Sequence, residues 1–514
     1  MTSVPTHAGL ERAQLDALRR SEVVAAPDAA VLDLPERAVQ FGTGAFLRGF
    51  LDDFLHRANE QGLFGGRVAV VSSTGSARDR AINAQDGLYT LVVEGIDRGK
   101  AVQECRIIGS VSRALAATEQ WNEVLALARA PLLRYVFSNT TEVGIALDPA
   151  DRFDDAPPRS FPAKLTRFLY ERAREFDYAP DCGLVVIPCE LIDDNGTRLR
   201  ELVGTLAVRW ALDPRFVSWL DSSTTFCNTL VDRIVPGAPR DEDARRLAGM
   251  LGYSDALLTT CEPYRLFAIQ GDAAVKDQLS WAAADPGILV VPDVAPYRER
   301  KVRLLNGAHT LLVPVALQMG LETVRDAITE PTLNRFVRRA MFDEIVPTLD
   351  VAGAKEFAEA VLDRFENPFI RHALVDITLH ATTKMRVRVV PSIVKYAART
   401  GRPPRALTFA FAAFLLYMRG DVQVSRRAKG LPVPADEHGH ALQALWGVMP
   451  RGAEPVDEER LRSLARLACG DVSLWGSDLA KLPGFCDMVA EDLVRARRDG
   501  IRAALQHALA GAAE

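Results

Sequence analysis

No run in the 514-residue sequence is apolar for long enough to cross a bilayer: the longest such stretches, residues 407–418 among them, fall short of the roughly 20 residues that a spanning helix needs. Cysteine is scarce as well. The seven present (Cys105, Cys182, Cys189, Cys227, Cys261, Cys469 and Cys486) are an odd number at irregular spacing without a CxxC pair, which argues against a disulfide framework and a zinc site. Basic blocks are missing too. A net charge of −5 is spread along the chain, so neither nucleic acid nor a charged membrane is expected as a partner. The N-terminal stretch 1–26 contains His7, Glu11, Arg12, Asp16, Arg19 and Arg20 but no apolar h-region, and no signal peptide is read there. These absences point to a cytoplasmic protein with a small-molecule partner, as a monomer or small homo-oligomer.

What is present is ordinary globular composition. Apolar residues make up 48% and charged residues 25%, with a mean hydropathy of +0.01, which fits neither a disordered nor a membrane-embedded chain. The length exceeds what one hydrophobic core sustains, so two domains are expected. In the first half, short β-type runs at residues 38–41, 68–71, 135–137 and 184–187 alternate with helical patterns, the signature of a parallel α/β sheet. From residue 292 onward the period becomes helical, over 304–319, 333–346, 354–365, 405–417 and 479–507. The expected fold class is therefore α/β over residues 1–291, followed by a mainly α-helical domain over 292–514.

The stretch Arg37-Ala-Val-Gln-Phe-Gly42-Thr-Gly44-Ala45-Phe46-Leu-Arg48 runs from the first of those strands through Gly42-x-Gly44 into an amphipathic pattern (Phe46, Phe50, Leu51, Phe54, Leu55). Glycines at such a turn let the backbone approach a pyrophosphate and aim helix N–H groups at it. Phe41, Gly42, Gly44, Ala45, Phe46 and Arg48 are thus the candidate cofactor-binding residues of a Rossmann-type domain. Leu47 occupies the place of the third fingerprint glycine. The second strand runs into Ser72-Ser73-Thr74-Gly75, where a NAD site usually has an acid for the ribose, so this loop leaves NAD and NADP open.

Lys301-Val-Arg-Leu-Leu-Asn306-Gly-Ala-His309 opens the helical half. On an α-helix Asn306 and His309 are i,i+3 neighbours, and Lys301 lies about two turns before His309, offset by roughly 80°. Reducing a ketone by hydride requires a proton donor for the developing alkoxide and polar groups to hold that oxygen. These three residues supply both without a metal, and no Cys/His cluster has ligand spacing.

This pattern resembles the polyol-specific long-chain dehydrogenases and reductases, a family that includes mannitol 2-dehydrogenase, fructuronate reductase and tagaturonate reductase. Its signature of Lys, Asn five later and His three after that is matched by Lys301, Asn306 and His309. The resemblance extends through Gly42–Arg48, Gln85-Asp-Gly-Leu-Tyr-Thr90, Phe137-Ser-Asn-Thr-Thr-Glu-Val-Gly144, Phe161-Pro-Ala-Lys-Leu165 and Val231-Asp-Arg-Ile-Val-Pro236, covering most of the chain. It implies NAD as cofactor, no metal, and interconversion of a ketone and a secondary alcohol. Lys301 would be the general acid in reduction and general base in oxidation, Asn306 and His309 would bind the reacting oxygen, and Asn139 and Thr140 would lie over the cofactor. Asp232 and Arg233 are assigned to the substrate pocket, with polar-pair and ion-pair roles as the alternatives.

Within the family, mannitol-type members carry an oxyanion-stabilising Asn where this chain has Leu191. The version here, Glu190-Leu191-Ile192-Asp193 before Asn195-Gly196, resembles the tagaturonate reductase (altronate oxidoreductase) branch. Mannitol-type members also place an Arg eight residues before Lys384, a position held here by Asp376. Lys384, Arg386 and Arg388 alternate as on an extended segment, so they are expected to share a face and to bind a uronate carboxylate. The leading expectation is NADH-dependent reduction of D-tagaturonate to D-altronate. Fructuronate reduction, a mannitol-type polyol dehydrogenase and a silent cofactor-bound sensor are the alternatives.

Overall fold

In the computed structural model, which describes residues 9–140, 144–447 and 457–510, the chain forms two compact units: residues up to 94 together with 101–294, and residues 95–100 together with those from 295 on. His7 and residues 141–143 of the Phe137 to Gly144 motif lie outside the described residues.

The strands of the first unit are β1 (Glu36–Phe41), β2 (Arg67–Ser72), β3 (Tyr89–Asp97), β4 (Lys100–Ile108), β5 (Val111–Ala116), β6 (Tyr135–Ser138), β7 (Val185–Pro188), β8 (Thr225–Phe226), β9 (Thr229–Asp232), β10 (Thr259–Cys261), β11 (Leu266–Gln270) and β12 (Ile288–Val291). Six form a parallel sheet in the order β5-β2-β1-β6-β7-β8. The four runs read from the sequence are its centre, and they are almost continuously apolar because helices cover both faces. One face packs Phe50, Phe54, Phe267 and Trp281, the other Trp121, Phe161, Phe168 and Phe216. Chain order reverses at β1, between β2 and β6, and sheets of this kind bind ligands at the carboxyl ends of the strands beside that reversal. The remaining strands make two small sheets, β10-β3-β4 and β12-β11-β9, which the sequence reading missed.

The continuous helix expected after Gly44 is broken into one turn, Ala45–Arg48, and a longer helix, Leu51–Glu60. Between them Gly49 packs so tightly that a Cβ would stand 2.6 Å from a Val235 methyl. Beyond this break two successive carboxylates are buried, Asp52 and Asp53. Asp53 contacts Arg233 at 2.8 Å, Arg57 at 3.1 Å and Arg106 at 3.6 Å. Burial pushes its carboxyl up, but the three guanidinium groups outweigh this and keep it well below the usual carboxylate range. Arg233, assigned from the sequence to a substrate pocket, is instead the fully buried counter-ion of Asp53, with further bonds to the carbonyls of Gly49 and Glu262. Asp232 is buried beside it at the end of β9.

The second unit is helical. Gly307–Gln318, Arg405–Met418 and Phe485–Asp499 pack around Leu311, Phe336, Phe409, Phe411 and Trp475. The most apolar of these, Arg405–Met418, is a core helix buried from Ala406 onward. Among the described residues no single helix is long and apolar enough to span a membrane; this one passes on length and composition only together with Asp421–Ala428, across a 46° bend. The helix expected at 479–507 is divided at Gly500 (φ 85°) into Phe485–Asp499 and Ile501–Ala510. Three stretches, Lys301–Asn306, Arg339–Ile345 and Met385–Val389, have the wider i→i+5 hydrogen-bond pattern, which is rare and concentrates at functional sites.

Asp52 gives the first unit a pH signature. Among the described residues its carboxyl forms no ion pair; one oxygen accepts from the Tyr89 hydroxyl at 3.3 Å, and the Gln40 side chain also favours the charged form. Burial pushes it up to about 7, against the pull of Arg48 and Tyr89. A folded-state pKa above the unfolded value means that stability is full below about pH 4 and is lost as the pH rises through about 7. The advantage of Asp52→Asn over wild type in thermal melting should therefore grow across that window and level off above it. A melting difference that does not vary with pH would remove Asp52 as the cause.

Candidate active site

The β1 turn is built by exclusion of side chains. Gly42 has φ +126°, and a Cβ there would stand 2.8 Å from the Asn139 carbonyl oxygen, so only glycine lets β1 and the residue after β6 come this close. Asn139 N–H donates to the Phe41 carbonyl at 3.1 Å. Phe41, Gly42, Asn139 and Thr140 line a cavity of about 570 Å³ together with Ser72 and Ser73 at the end of β2, and Arg159 and Lys164 form part of its wall. Gly44, Ala45, Phe46 and Arg48 are not among its lining residues. Phe46 stacks on Phe50 at 4.9 Å, and the buried Arg48 guanidinium donates to the Thr43 carbonyl at 2.7 Å and to Thr259 Oγ1 at 3.3 Å, bracing the turn from beneath.

Glu190, which the sequence reading noted only as part of a branch motif, organises the other wall. Its carboxylate is 2% exposed and accepts from Ser138 Oγ (3.0 Å), Thr140 N (2.9 Å) and Thr140 Oγ1 (3.1 Å). Burial raises its pKa although these bonds favour the charged form. Asn139 Nδ2 donates to the Cys189 carbonyl at 2.7 Å, so the loop after β6 is tied to the end of β7 on both sides. Leu191, in contrast, is 61% exposed. The nearest acid after β2, Asp79, accepts from Ser72 Oγ at 2.7 Å and forms a reciprocal cap with Ser76 on the helix Ala77–Ala84. The residues around the cavity fit a nicotinamide dinucleotide: a glycine turn open to a pyrophosphate at the sheet's reversal point, with hydroxyl and amide groups around it.

In the second unit, Lys301 and Asn306 begin and end one i→i+5 stretch, and His309 follows in the first turn of Gly307–Gln318. The His309 ring lies 4.2 Å from Phe365 and 5.0 Å from His372, centroid to centroid. Burial, then His372, Arg364 and Arg388, keeps its pKa well below the usual value, so the ring is neutral at working pH. Nδ1 faces the Leu305 carbonyl at 3.1 Å, an acceptor, which assigns the proton to Nδ1 and leaves a lone pair on Nε2. The arginines flanking Lys301 bond to neighbouring segments. Arg303 donates to Ser392 Oγ at 2.8 Å and Arg300 to the Ala352 carbonyl at 3.0 Å.

Lys384, Arg386 and Arg388 are helical, not extended: Lys384 ends Ala381–Lys384 and the other two lie in Met385–Val389. Residues two apart on a helix diverge, so the three do not share a face. Lys384 donates to the Ile377 carbonyl at 2.9 Å, and Arg388 reaches Thr310 Oγ1 at 3.5 Å, one residue beyond His309. Burial lowers both pKa values, with Arg388 adding to the effect on Lys384. Arg386 is exposed and turns the other way, to the Ser473 carbonyl at 3.4 Å. Among the described residues no group of three or more His, Cys, Asp or Glu side chains is placed to hold a metal ion.

Two family models match this chain: the mannitol dehydrogenase Rossmann domain over residues 36–283 and the mannitol dehydrogenase C-terminal domain over 293–495. Among curated proteins, the altronate oxidoreductase of Cronobacter sakazakii is 45% identical over 92% of this chain and 96% of its own length. That of Yersinia enterocolitica is 43% identical over the same shares. Among solved structures, Pseudomonas fluorescens mannitol 2-dehydrogenase, in a ternary complex with NAD and D-mannitol, aligns with a TM-score of 0.65 at 22% identity, covering 98% of this chain and 99% of that one. A D-sorbitol dehydrogenase in substrate-free form aligns at 0.74 and 23%, covering 96% and 100%. At these identities the two structures speak to the fold alone.

If Glu190 holds the loop after β6 in shape for a dinucleotide, Glu190→Ala should weaken NADH binding about tenfold, the scale of a buried hydrogen-bond set left open. Titration of protein fluorescence with NADH reads this. Unchanged affinity would mean that the loop keeps its shape without the carboxylate.

Proposed function

The chain belongs to the mannitol dehydrogenase family and is an oxidoreductase acting on CH–OH groups, and on that premise we propose that it reduces D-tagaturonate to D-altronate with NADH, Lys301 supplying the proton. The observation that carries this reading is the polar set Lys301, Asn306 and neutral His309 on one helical run, with Lys384 at the end of Ala381–Lys384 and Arg388 in Met385–Val389, the two segments packed against it. The altronate oxidoreductase name of the curated relatives supports the substrate, and the paired cations suit a carboxylate that a neutral ketose lacks.

NADH, when bound, supplies the hydride to the carbonyl carbon. The Lys301 ammonium gives its proton to the carbonyl oxygen as the alkoxide develops, and the Asn306 carboxamide donates a hydrogen bond to the same oxygen. His309 is not the acid, because its pKa lies too low. Its Nε2 lone pair accepts from the alcohol hydroxyl once that forms, which orients the product and, in the reverse direction, the substrate. In oxidation the neutral Lys301 amine takes the proton back. Lys384 and Arg388 hold the carboxylate at the far end of the substrate.

NADH oxidation with D-tagaturonate, D-fructuronate and D-fructose in parallel tests the assignment: tagaturonate is expected to be strongly preferred, and turnover with fructose alone would move the substrate to a neutral ketose. Lys301→Ala should lower kcat by about 10²- to 10⁴-fold, and a small effect would hand the proton to another group. Lys384→Ala and Arg388→Ala should raise KM for the keto acid far more than for fructose, while Arg386→Ala leaves both nearly unchanged. Equal effects on acid and ketose would dismiss the carboxylate role.

A further inference from the structure

One imidazole beside the catalytic set has no function in the scheme above. His372 stands with its ring 5.0 Å from that of His309, at an interplanar angle of 62°. Its backbone is clamped on both sides: Val324 N–H donates to the His372 carbonyl at 3.0 Å, and Leu374 N–H to the Glu322 carbonyl at 2.9 Å, around a strand-like bridge between Thr323 and Ala373. The backbone that carries the ring is therefore fixed by the fold, and the ring itself packs on His309. Burial keeps it neutral, with Asp376 and Lys384 acting on it in opposite senses, so it lies within the field of Lys384 as well as against His309. His309 has its Nδ1 bond to Leu305, whereas neither ring nitrogen of His372 has a hydrogen-bond partner among the described residues.

A neutral imidazole carries one N–H donor and one lone pair, the complement of a hydroxyl, which both accepts and donates. Here it touches the residue proposed to meet the reacting oxygen and lies within the field of the lysine proposed to meet the carboxylate. We propose that His372 is a specificity-determining residue: it hydrogen-bonds a substrate hydroxyl lying between the reacting carbon and the carboxylate, and by its fixed direction sets which of two epimeric keto acids is reduced. The inference deepens the sugar-acid reading and rests on it. A site that hydrogen-bonds a particular hydroxyl discriminates against a molecule that presents it elsewhere, because its polar groups are then left open.

D-Tagaturonate and D-fructuronate, which differ in configuration at one hydroxyl carbon, provide the test. Both kcat/KM values are measured for wild type, His372→Ala and His372→Gln, with NADH affinity as the control for folding. His372→Ala should cost the preferred epimer about tenfold or more, through KM, and bring the ratio of the two epimers toward one, with His372→Gln restoring part of it. Equal losses on both epimers would make His372 a support for His309 and overturn the proposal, as would an unaltered ratio without loss. Wild type that binds NADH yet reduces neither keto acid overturns the sugar-acid reading itself, and with it this inference.

Discussion

A Cβ on Gly307 would stand 3.3 Å from the carbonyl oxygen of Arg388, and this close approach of two backbones is the constraint that sets the geometry of the candidate site in the second unit. It joins the two i→i+5 stretches, one bearing Lys301 and Asn306, the other Arg388 just after Lys384. In an α-helix, residues five apart point about 140° from each other, so Lys301 and Asn306 would serve different faces. Hydrogen bonds to the fifth residue reduce that divergence. The wider turn is uncommon, and Arg303 pins the first of these stretches to Ser392 at 2.8 Å.

Much of this was legible in the sequence, for reasons that also explain what was not. The central strands read clearly because burial on both faces leaves them nearly unbroken apolar, whereas β9 to β12 are short, mixed in direction and without a period of their own. The sequence marked Gly42 through its turn, and the structure adds the reason, the Asn139 carbonyl. Arg48 and Arg233 misled because a basic residue in a motif looks the same whether it meets a ligand or a buried partner 180 residues away. Residues 384–388 read as extended because alternation of basic and apolar residues has the period of a strand, and nothing in the letters signals an i→i+5 turn. Glu190 could have been suspected from an acid directly after an apolar strand, but His372 carried no sequence signal. Its position is set by the bridge between its neighbour Ala373 and Thr323.

Asp52 and Asp53 are adjacent, equally buried, and opposite in fate, one pushed toward neutrality and the other kept ionised. The difference lies in the partners. Breaking a buried pair by removal of one member is costly because the other charge is stranded. The Asp53 partner that matters most, Arg233, lies 180 residues further along the chain, and Phe54 packs on Phe267, further still. During synthesis, then, the helix Leu51–Glu60 emerges long before the residues that make its inner face tolerable in a dry interior. Until β9 and β11 arrive, the first two strands have to wait with that helix undocked and its carboxylate hydrated. Assembly of the dinucleotide half is for this reason a late, long-range event in the growth of the chain, dominated by contacts far apart in sequence, the kind that slow folding and lengthen exposure of apolar surface.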